Sequence, residues 1–153
     1  MTIEDDIAFL QRVPALSILG RDALRILAIG SENRYVHEGV ALFGAGEDAD
    51  SAYVVQEGSF DLTGPNGATT VVGPGALIGE LALVTDTKRP TSAVAREPSS
   101  VVRITRQLFM KMLESDPDAA VRMRDAIAAR VGQTAGEFSR VRAILAGGPV
   151  RRA

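Results

Sequence analysis

The sequence has no cysteine and a single histidine, His37, among its 153 residues. Without cysteine it forms no disulfide and has no thiol chemistry, which suits a reducing compartment. One histidine excludes a metal site built from a histidine triad. The sequence also has no nucleophile elbow, no paired-cysteine metal site and no Walker loop. We therefore expect a protein that is not an enzyme, with His37 as a surface strand residue.

Long apolar segments are missing too. No run approaches the roughly 20 residues that a membrane-spanning helix requires. The first residues include Glu4, Asp5 and Asp6, where a signal peptide would be basic. We expect a cytoplasmic protein without a membrane segment. Apolar residues make up 46% and charged residues 24%, and this ordinary balance, with the length, predicts one domain over residues 1–146.

The charge is small but unevenly distributed. A net charge of −2 argues against a general nucleic-acid binder. Residues 1–50 carry −5, whereas residues 104–153 carry +4. The glycines and arginines of residues 147–153 predict a flexible basic tail. We interpret this tail as solubilising, and partner binding is the alternative.

Helical periodicity at the N-terminus gives way to short strands. Apolar residues at helical spacing predict helices within residues 1–34, the first of which begins at a capping box formed by Thr2 and Asp5. Over residues 35–106, short apolar strands alternate with glycine turns, including a hairpin turn at 64–67. This pattern predicts a mainly β fold, an all-β sandwich or barrel, with flanking helices.

Helical periodicity returns over residues 107–146. Asp116 is the expected N-cap of the last helix, with Pro117 in its first turn. An apolar stripe from Met123 to Leu145 is expected to be exposed. Two glycines within this helix predict a hinge, and a continuous packing helix is the alternative.

One stretch, residues 78–93, combines the groups that a small phosphorylated ligand requires. It reads IGELALVTDTKRPTSA, and Arg89 follows Glu80 by nine residues. Gly79 allows a backbone to approach a ligand closely, and a helical turn after it directs N–H groups toward an anion. Arg89 offers a planar fork for a phosphate, and Glu80 can accept from a sugar hydroxyl. A surface ion pair between Glu80 and Arg89 is the alternative interpretation.

The stretch resembles the phosphate-binding cassette of cyclic-nucleotide-binding domains, as found in cAMP-dependent kinase regulatory subunits and catabolite-activator-type regulators. The matching residues are Gly79, Glu80, Leu81, Ala82, Leu83 and Arg89. Aromatic, glycine and apolar residues between 35 and 58 extend the resemblance, which covers roughly residues 10–145. It implies an antiparallel β jelly roll over residues 35–106, with lid helices over residues 107–146.

The resemblance also implies how the site works. The cyclic phosphate would contact backbone N–H groups near Leu81 and Ala82, and Arg89 would neutralise its charge. Glu80 would accept a hydrogen bond from the ribose 2′-hydroxyl. Val71 would lie near the base. No other cofactor and no metal is implied.

The residue after Arg89 departs from the family pattern. The family has a small or hydroxyl residue there, which is expected to donate its N–H to the phosphate, whereas Pro90 has no N–H. Thr91 could take over this role after a local shift, and Ser92 could assist, or both could be ordinary strand residues. Alternatively, the site is weakened or has lost its ligand.

The sequence leaves three functions open for this protein. The first is a stand-alone sensor of cAMP or cGMP that signals through its C-terminal helices, either to a protein partner in trans or by forming a homodimer. The second is an interaction module of the same fold that has lost ligand binding and acts in dimerisation. The third, an enzyme on a jelly roll, lacks residues for chemistry. The sequence predicts no DNA-binding module.

Overall fold

The computed structural model describes residues 2–131, so the predictions for the last helix beyond Val131 and for the tail lie outside the described residues. The helices are α1 (Ile3–Gln11), α2 (Arg21–Gly30), α3 (Arg106–Ser115) and α4 (Pro117–Val131). The strands are β1 (Glu32–Val36), β2 (Ala41–Phe43), β3 (Asp48–Ala49), β4 (Ser51–Glu57), β5 (Phe60–Thr63), β6 (Thr69–Val72), β7 (Leu77–Ile78), β8 (Thr87–Lys88), β9 (Ser92–Ala95) and β10 (Ser99–Thr105). A short 3-10 turn, Glu80–Leu83, separates β7 from β8.

The strands form two four-stranded antiparallel sheets, in the orders β1-β10-β4-β7 and β2-β9-β5-β6. Strands β3 and β8 form a separate antiparallel pair. The predicted hairpin turn at 64–67 joins β5 to β6, and Gly67 adopts the positive φ of +82° that favours glycine. The structure confirms the predicted class, an antiparallel β jelly roll flanked by helices.

Strand β4 is buried on both faces and separates two apolar cores. Because successive strand residues point to opposite faces, Ala52 and Val54 join the core under the helices, while Tyr53 and Val55 face the core between the two sheets. Strand β10 alternates in the same way. The shared strands therefore fix the position of the helices relative to the roll.

The four helices share one apolar core with the outward-facing residues of β4 and β10. Their buried residues are Ile7 and Leu10 of α1, Leu24 and Leu27 of α2, Phe109 and Met112 of α3, and Ala119 and Met123 of α4. Met123 is only 6% exposed and belongs to the core. The prediction of an exposed stripe is therefore wrong at Met123, because α4 turns that side toward its own domain.

Two boundaries differ from the prediction by a few residues. Strand β1 begins at Glu32 rather than near residue 35, since four of its five residues are exposed and give no apolar signal. Its register is set by pairing with β10, where Glu32 lies opposite Arg103. Helix α3 begins at Arg106, one residue early, because the Thr105 side chain accepts from the Leu108 N–H at 3.1 Å.

Of the helices within residues 2–131, none combines the length and apolarity needed to cross a membrane.

Candidate ligand-binding site

The turn after β7 begins at Gly79. Gly79 has φ +79°, a left-handed conformation that favours glycine, and it starts the 3-10 turn. The Ala82 N–H donates to the Gly79 carbonyl at 3.1 Å. That donor, expected to face a phosphate, is thus used inside the turn in this structure.

Arg89 is held by the loop between β2 and β3. Its backbone N–H donates to the Glu47 carbonyl at 2.8 Å, and its carbonyl accepts from the Gly46 N–H at 2.8 Å. Its side chain is directed inward, so the residue is only 5% exposed. Nη2 donates to the Ser51 hydroxyl at 3.3 Å.

The guanidinium of Arg89 is buried with one of its nitrogen donors unused. Its Nη1 is buried and has no hydrogen-bond partner. Burial lowers the pKa of Arg89 below its ordinary value because desolvation disfavours the charged form. An arginine nevertheless stays charged at neutral pH. A buried charge with an unused donor is costly unless an anion completes it.

A cavity of about 500 Å³ lies beside this guanidinium. It is lined by Ala49, Gly79, Glu80, Leu81, Ala82, Thr87, Lys88, Arg89 and Pro90. Its size falls within the range of small-molecule sites. At its edge, the exposed Lys88 pairs with Asp48 at 2.7 Å.

The cavity brings together five of the predicted site residues, Gly79, Glu80, Leu81, Ala82 and Arg89. The other three are not among its lining residues. Thr91 and Ser92 are half-buried, and Ser92 belongs to β9. Val71 lies on β6 with 53% of its surface exposed.

Arg106, which no sequence motif indicated, binds the backbone of two residues that line the cavity. Its Nε donates to the Ala82 carbonyl at 2.8 Å, and its Nη2 donates to the Ala49 carbonyl at 2.5 Å. Both acceptors belong to lining residues, and Arg106 is the first residue of α3. A single side chain therefore joins the turn to the C-terminal helices.

The arrangement suits an organic anion rather than a metal ion. Across the described part of the chain, no group of three or more histidine, cysteine or acidic side chains is placed to hold a metal. The groups that do converge are a buried guanidinium, a carboxylate and a glycine turn. Fold and site together define a β roll with a cavity whose lining suits a small anionic ligand.

The family follows from comparison with known proteins. A family model described as "Cyclic nucleotide-binding domain" matches residues 33–116, more than half of the sequence, and the chain belongs to this family. A Brucella abortus structure described as a cyclic nucleotide-binding-like protein is 40% identical, with a TM-score of 0.63, over 72% of this chain and 98% of that one. The regulatory domain of Toxoplasma gondii PKA, crystallised with cAMP, shares the fold at 22% identity, with a TM-score of 0.71, over 86% of this chain and 50% of that one.

The curated relatives that the chain first matches are much longer than it is. An uncharacterized NTE family protein of Mycobacterium tuberculosis is 35% identical over 109 residues, which are 71% of this chain and 19% of the relative. This chain thus spans about a fifth of the length of the curated relatives that it first matches. The match concerns this domain alone and carries no enzymatic activity over to the chain.

Proposed function

We propose that this domain senses a cyclic nucleotide, cAMP or cGMP, whose cyclic phosphate binds Arg89. The observation that carries the proposal is the buried Nη1 of Arg89, which has no partner beside a cavity of about 500 Å³. A cyclic phosphodiester carries one negative charge and oxygens that accept hydrogen bonds. Its binding would bring a negative charge to the guanidinium and supply the acceptor that Nη1 lacks.

The other lining residues take roles that follow from their chemistry. Gly79 lets the Arg89 guanidinium lie against the turn, because a Cβ there would collide with Nη1. Glu80 would accept from the ribose 2′-hydroxyl. Leu81 and Ala82 would contact the sugar phosphate from the turn. No residue performs covalent chemistry in this scheme, and binding acts by shifting a conformational equilibrium.

A second candidate is an interaction module of the same family that has lost its ligand. Pro90 lines the cavity and has no N–H, and the Ala82 N–H already donates to Gly79. Two donors that could face a phosphate are therefore missing in this state. In such a module, the domain would act through dimerisation.

The signal would leave the site through α3 and α4, either to a protein partner or to a second copy of the chain. The Arg106 contact with the Ala82 carbonyl supports this route, because it connects the turn to α3 directly. The cytoplasmic location expected from the sequence belongs to the same proposal. Fractionation of cells that express the chain tests it.

Calorimetric titration with cAMP and with cGMP tests the proposal. We expect saturable heat with one or both nucleotides, and Arg89→Ala should weaken binding about a hundredfold or more, because it removes hydrogen bonds to a charged group. The control is Arg96→Ala. Arg96 directly follows β9, pairs with Asp61 at 3.3 Å and does not line the cavity. Absence of heat and of any thermal shift at millimolar nucleotide contradicts the sensor and favours the module.

A further inference from the structure

Two aromatic rings contact the guanidinium of Arg89. Phe43 comes from β2 and Tyr53 from β4, so the two sheets contribute one ring each. The central guanidinium carbon lies 4.2 Å from the centre of the Phe43 ring and 5.5 Å from that of the Tyr53 ring. Both distances are within the roughly 6 Å over which cation–π attraction acts. The two ring centres are 5.9 Å apart.

An aromatic face attracts a guanidinium without using its N–H donors. The donors lie in the plane of the group, whereas the ring attracts through its face. A carboxylate would instead bind two donors side by side and cancel the charge. At Arg89 both rings contact the guanidinium, Ser51 accepts from Nη2, and Nη1 remains without a hydrogen-bond partner.

The turn limits the guanidinium from the other direction. A Cβ built on Gly79 would collide with Nη1 of Arg89, so the guanidinium packs directly against the glycine. Phe43 is 7% exposed and Tyr53 is 5% exposed, so both rings are largely desolvated. Cation–π attraction is strongest where the partners are desolvated.

We propose that Phe43 and Tyr53 are positioning residues that hold the Arg89 guanidinium against Gly79 with its charge and its Nη1 donors available to an anion. The identity of that anion rests on the proposed function. The support by the two rings is a property of the ligand-free protein and can be tested without nucleotide.

A double-mutant cycle on denaturant unfolding measures this support. Phe43→Leu removes the ring and keeps an apolar side chain, and Arg89→Met removes the charge. If the ring holds the cation, the combined loss is smaller than the sum of the single losses, by about 5- to 30-fold in the unfolding equilibrium constant. Phe60→Leu is the matched control, because Phe60 is a fully buried residue of the same inter-sheet core and forms no cation–π contact with Arg89. Phe60→Leu should be additive with Arg89→Met.

Proton resonances of the Arg89 side chain give a second, spectroscopic readout. Protons above an aromatic face are shifted upfield, and we expect this shift in the wild-type chain. Phe43→Leu should move the resonances toward ordinary arginine values. Phe43→Tyr, which keeps an aromatic ring, should leave them near their wild-type values. Should Phe43→Leu fail to fold, Tyr53→Leu with Tyr53→Phe as its control gives the same comparison. Additive losses together with unchanged resonances overturn the proposal.

Binding provides the third arm and separates the two proposals. Phe43→Leu should weaken the affinity for cAMP about tenfold, because each 1.4 kcal/mol of lost preorganisation lowers affinity tenfold. The affinity of Phe43→Tyr should stay within about twofold of the wild-type value. Equal weakening by Phe60→Leu contradicts the positioning role. A wild-type chain that binds neither nucleotide overturns the proposed function, and the cycle and the resonances then decide the role of the rings.

Discussion

At the scale of single residues, the contact between Gly79 and Arg89 makes the site sensitive to one methyl group. Gly79 meets two conditions together, a φ of +79° and the absence of a Cβ in the space that Nη1 occupies. Either condition alone would favour glycine. Together they make the residue a structural part of the anion site, because any side chain must displace the guanidinium.

Gly79→Ala should therefore destabilise the fold and displace Arg89. Gly67→Ala is the matched control, because Gly67 has a similar φ of +82° but no atom lies within 4 Å of its Cβ position. We expect Gly67→Ala to lower the free energy of unfolding by about 1–2 kcal/mol, the cost of a left-handed conformation. Gly79→Ala should cost at least about 1 kcal/mol more and abolish nucleotide binding. Equal losses in urea titrations with unchanged binding would contradict this.

Pro90 is the residue that best separates the two candidate functions. Pro90→Ala restores an N–H at the edge of the cavity with a minimal side chain. If that donor limits affinity, binding of cAMP or cGMP should tighten by about tenfold or more, as expected for one hydrogen bond to a charged group. Pro98→Ala, in the exposed connection between β9 and β10, is the control and should change nothing. Unchanged affinity in Pro90→Ala, measured by calorimetry, means that the missing donor is not limiting.

The sequence predicted the residues of the turn but not those that hold Arg89. Gly79, Glu80 and Arg89 lie within one short stretch of known spacing, so they could be identified together. Phe43 and Tyr53 contact Arg89 across long separations in the chain, and isolated aromatic residues in strands most often belong to a core. Their second role becomes visible only when the three side chains are placed in space.

At the scale of elements, α3 is fastened to the turn by its first residue. The Arg106 side chain donates to the carbonyls of Ala82 and Ala49, and its backbone N–H donates to the Asp50 carbonyl at 2.7 Å. Movement of the turn must therefore either carry α3 along or break these bonds. This is the physical basis for the proposed signal route.

Arg106→Met should loosen this connection while preserving the helix. We expect a loss of about 1–3 kcal/mol in the free energy of unfolding, because two carbonyls lose a charged donor. Hydrogen exchange should become faster at the Ala82 N–H, which donates to the Gly79 carbonyl, and at the Arg106 N–H. Lys111→Met, at an exposed position of the same helix, is the control. Exchange rates equal to those of the control would exclude a coupling role for the side chain.

Element boundaries were predictable where one local interaction defines them. The Thr2–Asp5 capping box is present, with both reciprocal hydrogen bonds. Asp116 accepts from the Ala119 N–H at 3.1 Å, as an N-cap before Pro117 should. The start of β1 was missed, because that strand is specified by pairing with β10 and not by its own apolar pattern.

At the scale of the whole molecule, the two cores depend on each other. Strands β4 and β10 contribute to both, so the helices cannot separate from the roll without exposing apolar strand residues. The overall class was predictable from the alternation of helical and strand periodicity. The shared strands were not, because nothing local distinguishes a strand buried on both faces from a segment of buried helix.

Self-association through the terminal helices remains a prediction. Val121 of α4 is 46% exposed and Ile29 of α2 is 61% exposed, so the helices present apolar side chains to solvent. We expect sedimentation equilibrium at tens of micromolar to give the mass of a homodimer. Val121→Glu should shift the equilibrium toward monomer, and Glu114→Gln on α3 is the control. A wild-type chain that is monomeric throughout this concentration range contradicts the prediction.

The position of β10 has a consequence for synthesis of the chain. It is the inner strand between β1 and β4, yet it ends only at Thr105, so both neighbours leave the ribosome well before the strand that joins them. Until then the edge of β4 that pairs with β10 has no partner strand, and the early part of the chain is exposed to proteases and to aggregation. We expect protease resistance of ribosome-arrested nascent chains to rise abruptly once residue 105 has emerged, and a gradual rise with length would contradict this order of events.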